Sequence, residues 1–366
     1  MVPFKNMYKF LLLYLILIIP PLNIKFNKSI IYFLGILFLI FISYLRDPLA
    51  ATDAKNYFSA IDDNNLNFLT SISPTFRLLI SIFKDLFGFD SLLTLEIISL
   101  VPFICFLISA IILNYPFLLL IYFSSETFTL LSYNGIRQGL SIGFLMLTIS
   151  ILIKKLTKNK KITNLKNLLS FKIPLIFSLA SHISSLVISL LFLVSLIINK
   201  FKKSFSKYKI KKNMLFLVVV ILLFIFGILI IRPGILEFIM VRGLNLKRFG
   251  LSYLVPTGFG YNQNHFSAIY RFLIMFAAYI YAKFKLKKVP ENSTINKKLI
   301  GNFLDIINLC YLPLIIICLF QNPTILSRTS HFYIISLSFS IFFADKVDKN
   351  KRFFSCSLIS IMGLIA

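Results

Sequence analysis

The sequence predicts an all-α fold, a polytopic transmembrane helix bundle of about 12 spans forming a single integral membrane domain over residues 1–366. Three observations predict it. The chain is 58% hydrophobic and only 14% charged, with a mean hydropathy of +0.87, far too apolar for a soluble domain of this size. Apolar runs of roughly 15 to 22 residues, about the length that crosses a hydrocarbon core, recur from one end to the other. The short loops between them gather lysines, as cytoplasmic loops facing anionic lipid do. The net charge of +26 therefore points to membrane lipids, and nucleic acid is not an expected partner.

The first run, YKFLLLYLILIIPPL, has a charged flank and an apolar centre like a signal peptide. It has no small-residue cleavage site and another run follows at once, so it reads as the first helix, near residues 8–22. Further spans are expected near 29–45, 92–113, 116–132, 135–153, 172–198, 214–231, 267–283, 299–320, 330–344 and 353–366. The basic loops KKLTKNKK, NKFKKSFSKYKIKKN, KFKLKK and DKVDKNKR come after residues 153, 198, 282 and 344, and the positive-inside rule makes all four cytoplasmic. Both flanks of 172–198 then lie on one side, so that segment must be a hairpin, and the polar break Ser181-His182-Ile183-Ser184-Ser185 is where it would turn. This brings the total to twelve spans with both termini outside. Working back from Lys154, the loop holding Arg137 is external, the Asn114-Tyr115-Pro116 turn internal, and the loop 46–74 external. Two more external segments lie near 232–266 and 321–329, and the loops 46–74 and 232–266 would cover the cavity. The stretch PTFRLLISIFKDLF, residues 74–87, reads as an amphipathic helix on the outer surface.

Sorting the cations by side separates two chemistries. The cytoplasmic loops take twenty-five lysines and one arginine, Arg352, while the other side holds five lysines and eight arginines. Lysine is a solvated point charge suited to orientation, whereas the planar fork of arginine binds phosphate bidentately and stays charged when partly buried. The outer face thus suits an anion such as a phosphate or diphosphate. The competing reading is that these arginines pair with Asp47, Asp53, Asp62, Asp63 and Glu237, or reach to headgroups.

The stretch LLSYNGIRQGLSIGF, residues 130–144, sets Arg137, Gln138 and Asn134 between two long apolar runs. An arginine at the bilayer centre costs about 2.5 to 3.5 kcal/mol on insertion scales, so this one must be used or sit near water. A polar hairpin turn is the plainer alternative. His182 is the best candidate general base, since imidazole titrates in the right range and sits at the break of a small-residue hairpin. A packing histidine bonded to a neighbouring serine would look the same. Glu126, an intramembrane carboxylate, is a partner for Arg137 or an alternative base, while Glu96 and Asp305 read as polar packing. In the large outer loop, Arg242, Arg248, Tyr253, Tyr261 and Arg271 form a cation and aromatic mix suited to sugars and diphosphates. His265 and His331 read as interfacial or substrate-contacting. Three scattered histidines without HxxxH spacing make no metal site, and no cofactor is expected. Cys105, Cys310, Cys318 and Cys356 lie in apolar runs without CxxC spacing and read as small core or lipid-facing residues.

SYNGIRQGLSIGFLMLTISILIKK, with FSLASHISSLVISLLFL about thirty residues later, resembles the asparagine-arginine-glutamine motif and downstream histidine helix of the EpsG family, Wzy-like polymerases of bacterial surface polysaccharides. RDPLAATDAKNYFSAI is similar to the family's external arginine, aspartate and tyrosine, and LSRTSHFYIISLSFSI to the start of its late arginine-aromatic span. The glycine usual before the aspartate is missing, with Ala50, Ala51 and Thr52 in its place. The resemblance implies a GT-C-like polymerase of the bacterial cytoplasmic (inner) membrane, of the O-antigen, lipopolysaccharide or capsule kind. Its reaction would be metal-independent glycosyl transfer at the outer leaflet, with polyprenyl-diphosphate-linked glycans, undecaprenyl diphosphate among the carriers, as donor and acceptor. Arg137 would hold the donor diphosphate, Gln138 and Asn134 would orient it or touch sugar hydroxyls, and Asp53, Tyr57 and Arg328 would complete the substrate contacts. A chain-length regulator is a candidate partner. The alternatives are an O-antigen ligase, which shares the donor chemistry, and a lipid-linked oligosaccharide flippase, which usually shows an internal repeat that is not evident here.

Overall fold

A computed structural model describes residues 29, 32–37, 52–62, 73–123, 135–157, 165–182, 266–288, 300, 301, 304, 305 and 331–347. Among the described residues every regular element is helical. In chain order we number them α1 (Thr52–Asp62), α2 (Pro74–Ile80), which runs on as a π-helical turn (Ser81–Leu86), α3 (Ser91–Leu113), α4 (Phe117–Phe123), α5 (Ile136–Thr157), α6 (Leu165–Ser181), α7 (Phe266–Lys287) and α8 (Tyr333–Val347). Residues 32–37 are also helical and fall within the span expected at 29–45. The spans expected near 8–22, 214–231 and 353–366 and the loop 232–266 lie outside the described residues.

α3 is a helix because it is apolar throughout and well capped. The Asp90 carboxylate accepts from the backbone N–H of Leu93 at 2.7 Å, satisfying a donor the first turn cannot. The helix stops at Asn114, which takes a left-handed conformation at φ 53°, the short polar residue best able to do so after glycine. Its 23 residues span about 34 Å at 1.5 Å per residue, enough to cross a bilayer core. Of the described helices, Ser91–Leu113 and the stretch Ile136–Lys155 are long and apolar enough to span a membrane.

α3 and α5 run side by side, and Gly143 sets how closely. A Cβ at that position would lie 2.9 Å from the Pro102 Cα and 3.2 Å from the Cys105 Cβ, so only glycine fits. α6 returns antiparallel along α5. Ser178 Oγ donates to the Ser141 carbonyl at 2.8 Å, Phe144 stacks on Phe177 at 5.3 Å, and Lys155 lies over the Phe171 ring at 6.0 Å. α7 packs along α8, and both join the larger core cluster with α3, α4 and α5.

Polar contacts gather at the two ends of the bundle. At one end the Tyr32 hydroxyl donates to the Ala110 carbonyl at 3.0 Å and the Tyr115 hydroxyl to the buried Asp345 carboxylate at 2.5 Å. At the other end gather α1, α2, the start of α3, the start of α5 and the end of α6. There Ser91 donates to Asp62 at 3.0 Å, and Lys84 donates to the Ile61 carbonyl.

Three elements differ from the sequence reading. The segment 46–74, expected as an external loop, is not plain loop: α1 occupies part of it and buries Ala54, Tyr57 and Ile61, one face at helical spacing. α6 begins at Leu165, seven residues before the expected start at 172. Arg271, expected among the outer-loop cations, lies inside α7 and is only 1% exposed. The amphipathic character expected for 74–87 is present, with Thr75, Phe76 and Ile80 buried and Arg77 exposed.

Candidate functional site

The smaller of the two core clusters, built on Tyr57, Phe76, Ile80, Leu95, Ile98, Ile136 and Leu140, lies beneath the α5 start. α5 begins at Ile136, directly after Gly135, whose carbonyl accepts from the Gly139 N–H at 2.8 Å. Arg137 is therefore the second residue of a helix whose first N–H groups have no partners within it, and the helix dipole places partial positive charge at the same point.

Arg137 is held from across the bundle. Its Nε donates to the Tyr57 hydroxyl at 3.2 Å, and its guanidinium carbon stands 5.6 Å from the centre of the Tyr57 ring. The Tyr57 ring in turn packs on Phe76 with centroids 5.2 Å apart. With Nε engaged by tyrosine, the two terminal nitrogens form the edge that can meet two oxygens of one phosphate. Among the described residues no carboxylate pairs with Arg137. Gln138 is buried at 6% exposure, one position further along the helix.

His182 comes directly after the last residue of α6, so the polar break expected at 181–185 does end the helix. Helix pairing fixes its level. Ser141 faces Ser178 across the antiparallel pair, with their hydroxyls 3.3 Å apart. Arg137 stands one turn beyond Ser141, and residue 182 one turn beyond Ser178, toward the same end. The two lie at one level on neighbouring helices. The α6 end is fastened there by α2: Ser73 Oγ donates to the Ser181 carbonyl at 2.9 Å and Thr75 Oγ1 to the Phe177 carbonyl at 2.9 Å.

Of the sequence-derived site residues, the structure brings Tyr57 and Arg137 into contact and sets Gln138 and His182 at the same end. Asp53 lies in α1, four residues before Tyr57. Arg271 is buried in α7. Glu126, Asn134, Arg242, Arg248, Tyr253, His265 and Arg328 lie outside the described residues, as does the second half of the hairpin expected after residue 182. Asp305 accepts from the Tyr279 hydroxyl at 2.8 Å and meets Lys283 at 2.7 Å, the polar packing expected of it, although the lysine partner was not foreseen. His331 is buried at the start of α8. Sequence reasoning missed Ser73 and Thr75 as the anchors of the α6 end. Their only local signal was the Ser-Pro step at which α2 starts.

Among the described residues no three His, Cys, Asp or Glu side chains converge as a metal site would require. The arrangement offers a fixed guanidinium at a helix N-terminus with an imidazole-bearing residue at the same level, and the guanidinium suits holding an anion. No curated protein and no solved structure matches the chain. The model of the EpsG family, a family associated with polysaccharide polymerases, matches residues 29–366, nearly all of the sequence. With its apolar bundle and this match, the chain is a membrane protein of polysaccharide biosynthesis and belongs to the EpsG family.

Proposed function

We propose that the chain is a polysaccharide polymerase that joins polyprenyl-diphosphate-linked oligosaccharide repeat units at the outer face of the bacterial cytoplasmic membrane. In this reading the bundle has about 12 spans, resembles GT-C-like polymerases, and turns its Arg137 end outward. The observation that carries it is the Arg137 guanidinium, fixed on Tyr57 at the N-terminus of α5 and level with His182.

The reaction asks little of the protein. An acceptor sugar hydroxyl attacks the anomeric carbon of the donor, the bond from that carbon to the diphosphate oxygen breaks, and polyprenyl diphosphate leaves. Arg137 and the α5 dipole stabilise the charge gathering on the departing diphosphate. His182 accepts the proton of the attacking hydroxyl, and the imidazolium so formed sits at the negative end of α6. Gln138, Asn134 and Asp53 contact sugar hydroxyls, with Arg242, Arg248, Tyr253, His265, Arg271 and Arg328 as further substrate contacts. Glu126 is the alternative base. No metal enters the reaction.

The test is Arg137→Ala and His182→Ala, expressed separately in a host lacking the gene. Each should leave products stalled at a single repeat unit. Long polymer from both variants would exclude the proposal. Loss of lipid-linked units from the outer leaflet would assign the chain to flipping, and intact polymer that fails to reach its final acceptor would assign it to ligation.

A further inference from the structure

Beside the Arg137 end lies a surface that glycosyl transfer does not use. Phe83, Phe87 and Phe89 stack around the turn between the π segment and α3, with centroids 6.3 Å, 6.4 Å and 5.8 Å apart. Leu86 is 75% exposed and Phe87 59%, and Leu92 and Leu93 extend the patch onto α3. Gly88, at φ +69°, lets the chain fold back so that the rings meet.

The patch is continuous with the outward face of α3, where Ile104, Ile108 and Ile111 are exposed at helical spacing. On a membrane-spanning helix that face meets acyl chains. Of the charges nearest the rings, Lys84 donates to the Ile61 carbonyl, and Asp90, though exposed, is engaged in capping α3. Asp85 and Arg77 stay exposed. A carboxylate deep in hydrocarbon is costly, so Asp85 limits how far the segment can sink. Exposed apolar side chains and exposed charges on one short segment suit the boundary between headgroups and chains.

We propose that residues 83–93 form a shallow apolar wedge seated in the leaflet at the Arg137 end, with phospholipid acyl chains as its occupant. The continuity with α3 selects acyl chains over a second copy or a protein partner. The proposal does not depend on the glycosyl-transfer reading.

The chain has no tryptophan, so Phe87→Trp and Leu86→Trp each introduce a single probe at an exposed position. The full-length variants are reconstituted in phosphatidylcholine and phosphatidylglycerol vesicles whose acyl chains carry bromine near the glycerol end or near the methyl end. The expected result is blue-shifted emission, quenched severalfold more strongly by bromine near the glycerol end than near the methyl end, with little quenching by aqueous acrylamide. Emission quenched by acrylamide as in the unfolded chain would put the turn in water and overturn the wedge. Shielding from acrylamide and from both bromolipids would show a protein covering and overturn it equally.

Discussion

Tyr57 governs what Arg137 can present, because it occupies the one guanidinium nitrogen that does not belong to the terminal edge. Tyr57→Phe keeps the ring under the cation and removes only the hydrogen bond. Such bonds to charged groups are worth about 1.5 to 3 kcal/mol, so polymer formation should fall by at least about tenfold. Tyr57→Ala, which also removes the ring, should cost more, and Arg137→Lys should not restore activity since an ammonium has no fork. In vitro polymerisation with purified variants reads all three. At the opposite end Tyr115→Phe removes a donor to a carboxylate that is 1% exposed, and the thermal unfolding midpoint in detergent should drop by an amount corresponding to about 1 to 3 kcal/mol while transfer is unaffected. Arg137, Gln138 and His182 were legible as site candidates because polar residues in an apolar text stand out. The Tyr57 contact was not legible from spacing, since eighty residues separate the partners. Only the family resemblance had singled out Tyr57.

Among the elements, the α3–α5 close approach at Gly143 and the α5–α6 hydrogen bond of Ser178 differ in magnitude. Gly143→Ala drives a Cβ into the Pro102 backbone, which cannot swing away as a side chain would, at about 1 to 3 kcal/mol. Ser178→Ala removes a bond of the kind that averages about 0.6 kcal/mol between membrane helices. Thermal unfolding in detergent should therefore rank Gly143→Ala well below Ser178→Ala, and a reversed order would mean that hydrogen bonding and not close packing holds α5. Element identity was readable wherever apolar length was the signal, as for α3, expected at 92–113 and found at Ser91–Leu113. It was not readable for α1, where the inward Ala54, Tyr57 and Ile61 are interleaved with so many polar residues that TDAKNYFSAID passes for loop. The early start of α6 was hidden likewise, because LKNLLS carries a lysine and an asparagine beside a basic loop.

For the whole molecule, the loop lysines give the expected sidedness, and chemical labelling can read it directly. In a background with Cys105, Cys310, Cys318 and Cys356 replaced, Ser59→Cys and Lys287→Cys both lie at exposed positions. A membrane-impermeant maleimide applied to intact cells should label residue 59 at once and residue 287 only after permeabilisation. The opposite pattern would turn the Arg137 end inward and remove the basis for transfer at the outer leaflet. Loop charge gives an expectation of sidedness because it depends only on where lysines fall, whereas the height of one residue against another depends on helix register. The stop of α6 is a case of the second kind, since the hydroxyls of Ser73 and Thr75 reach its last carbonyls from another helix. That stop is imported: the segment around 181 has no glycine or proline to enforce it, and donors from a hundred residues upstream supply it instead. A substitution at 73 would therefore surface as a fault at 182, and a genetic screen for lost polymer would report both positions as one locus.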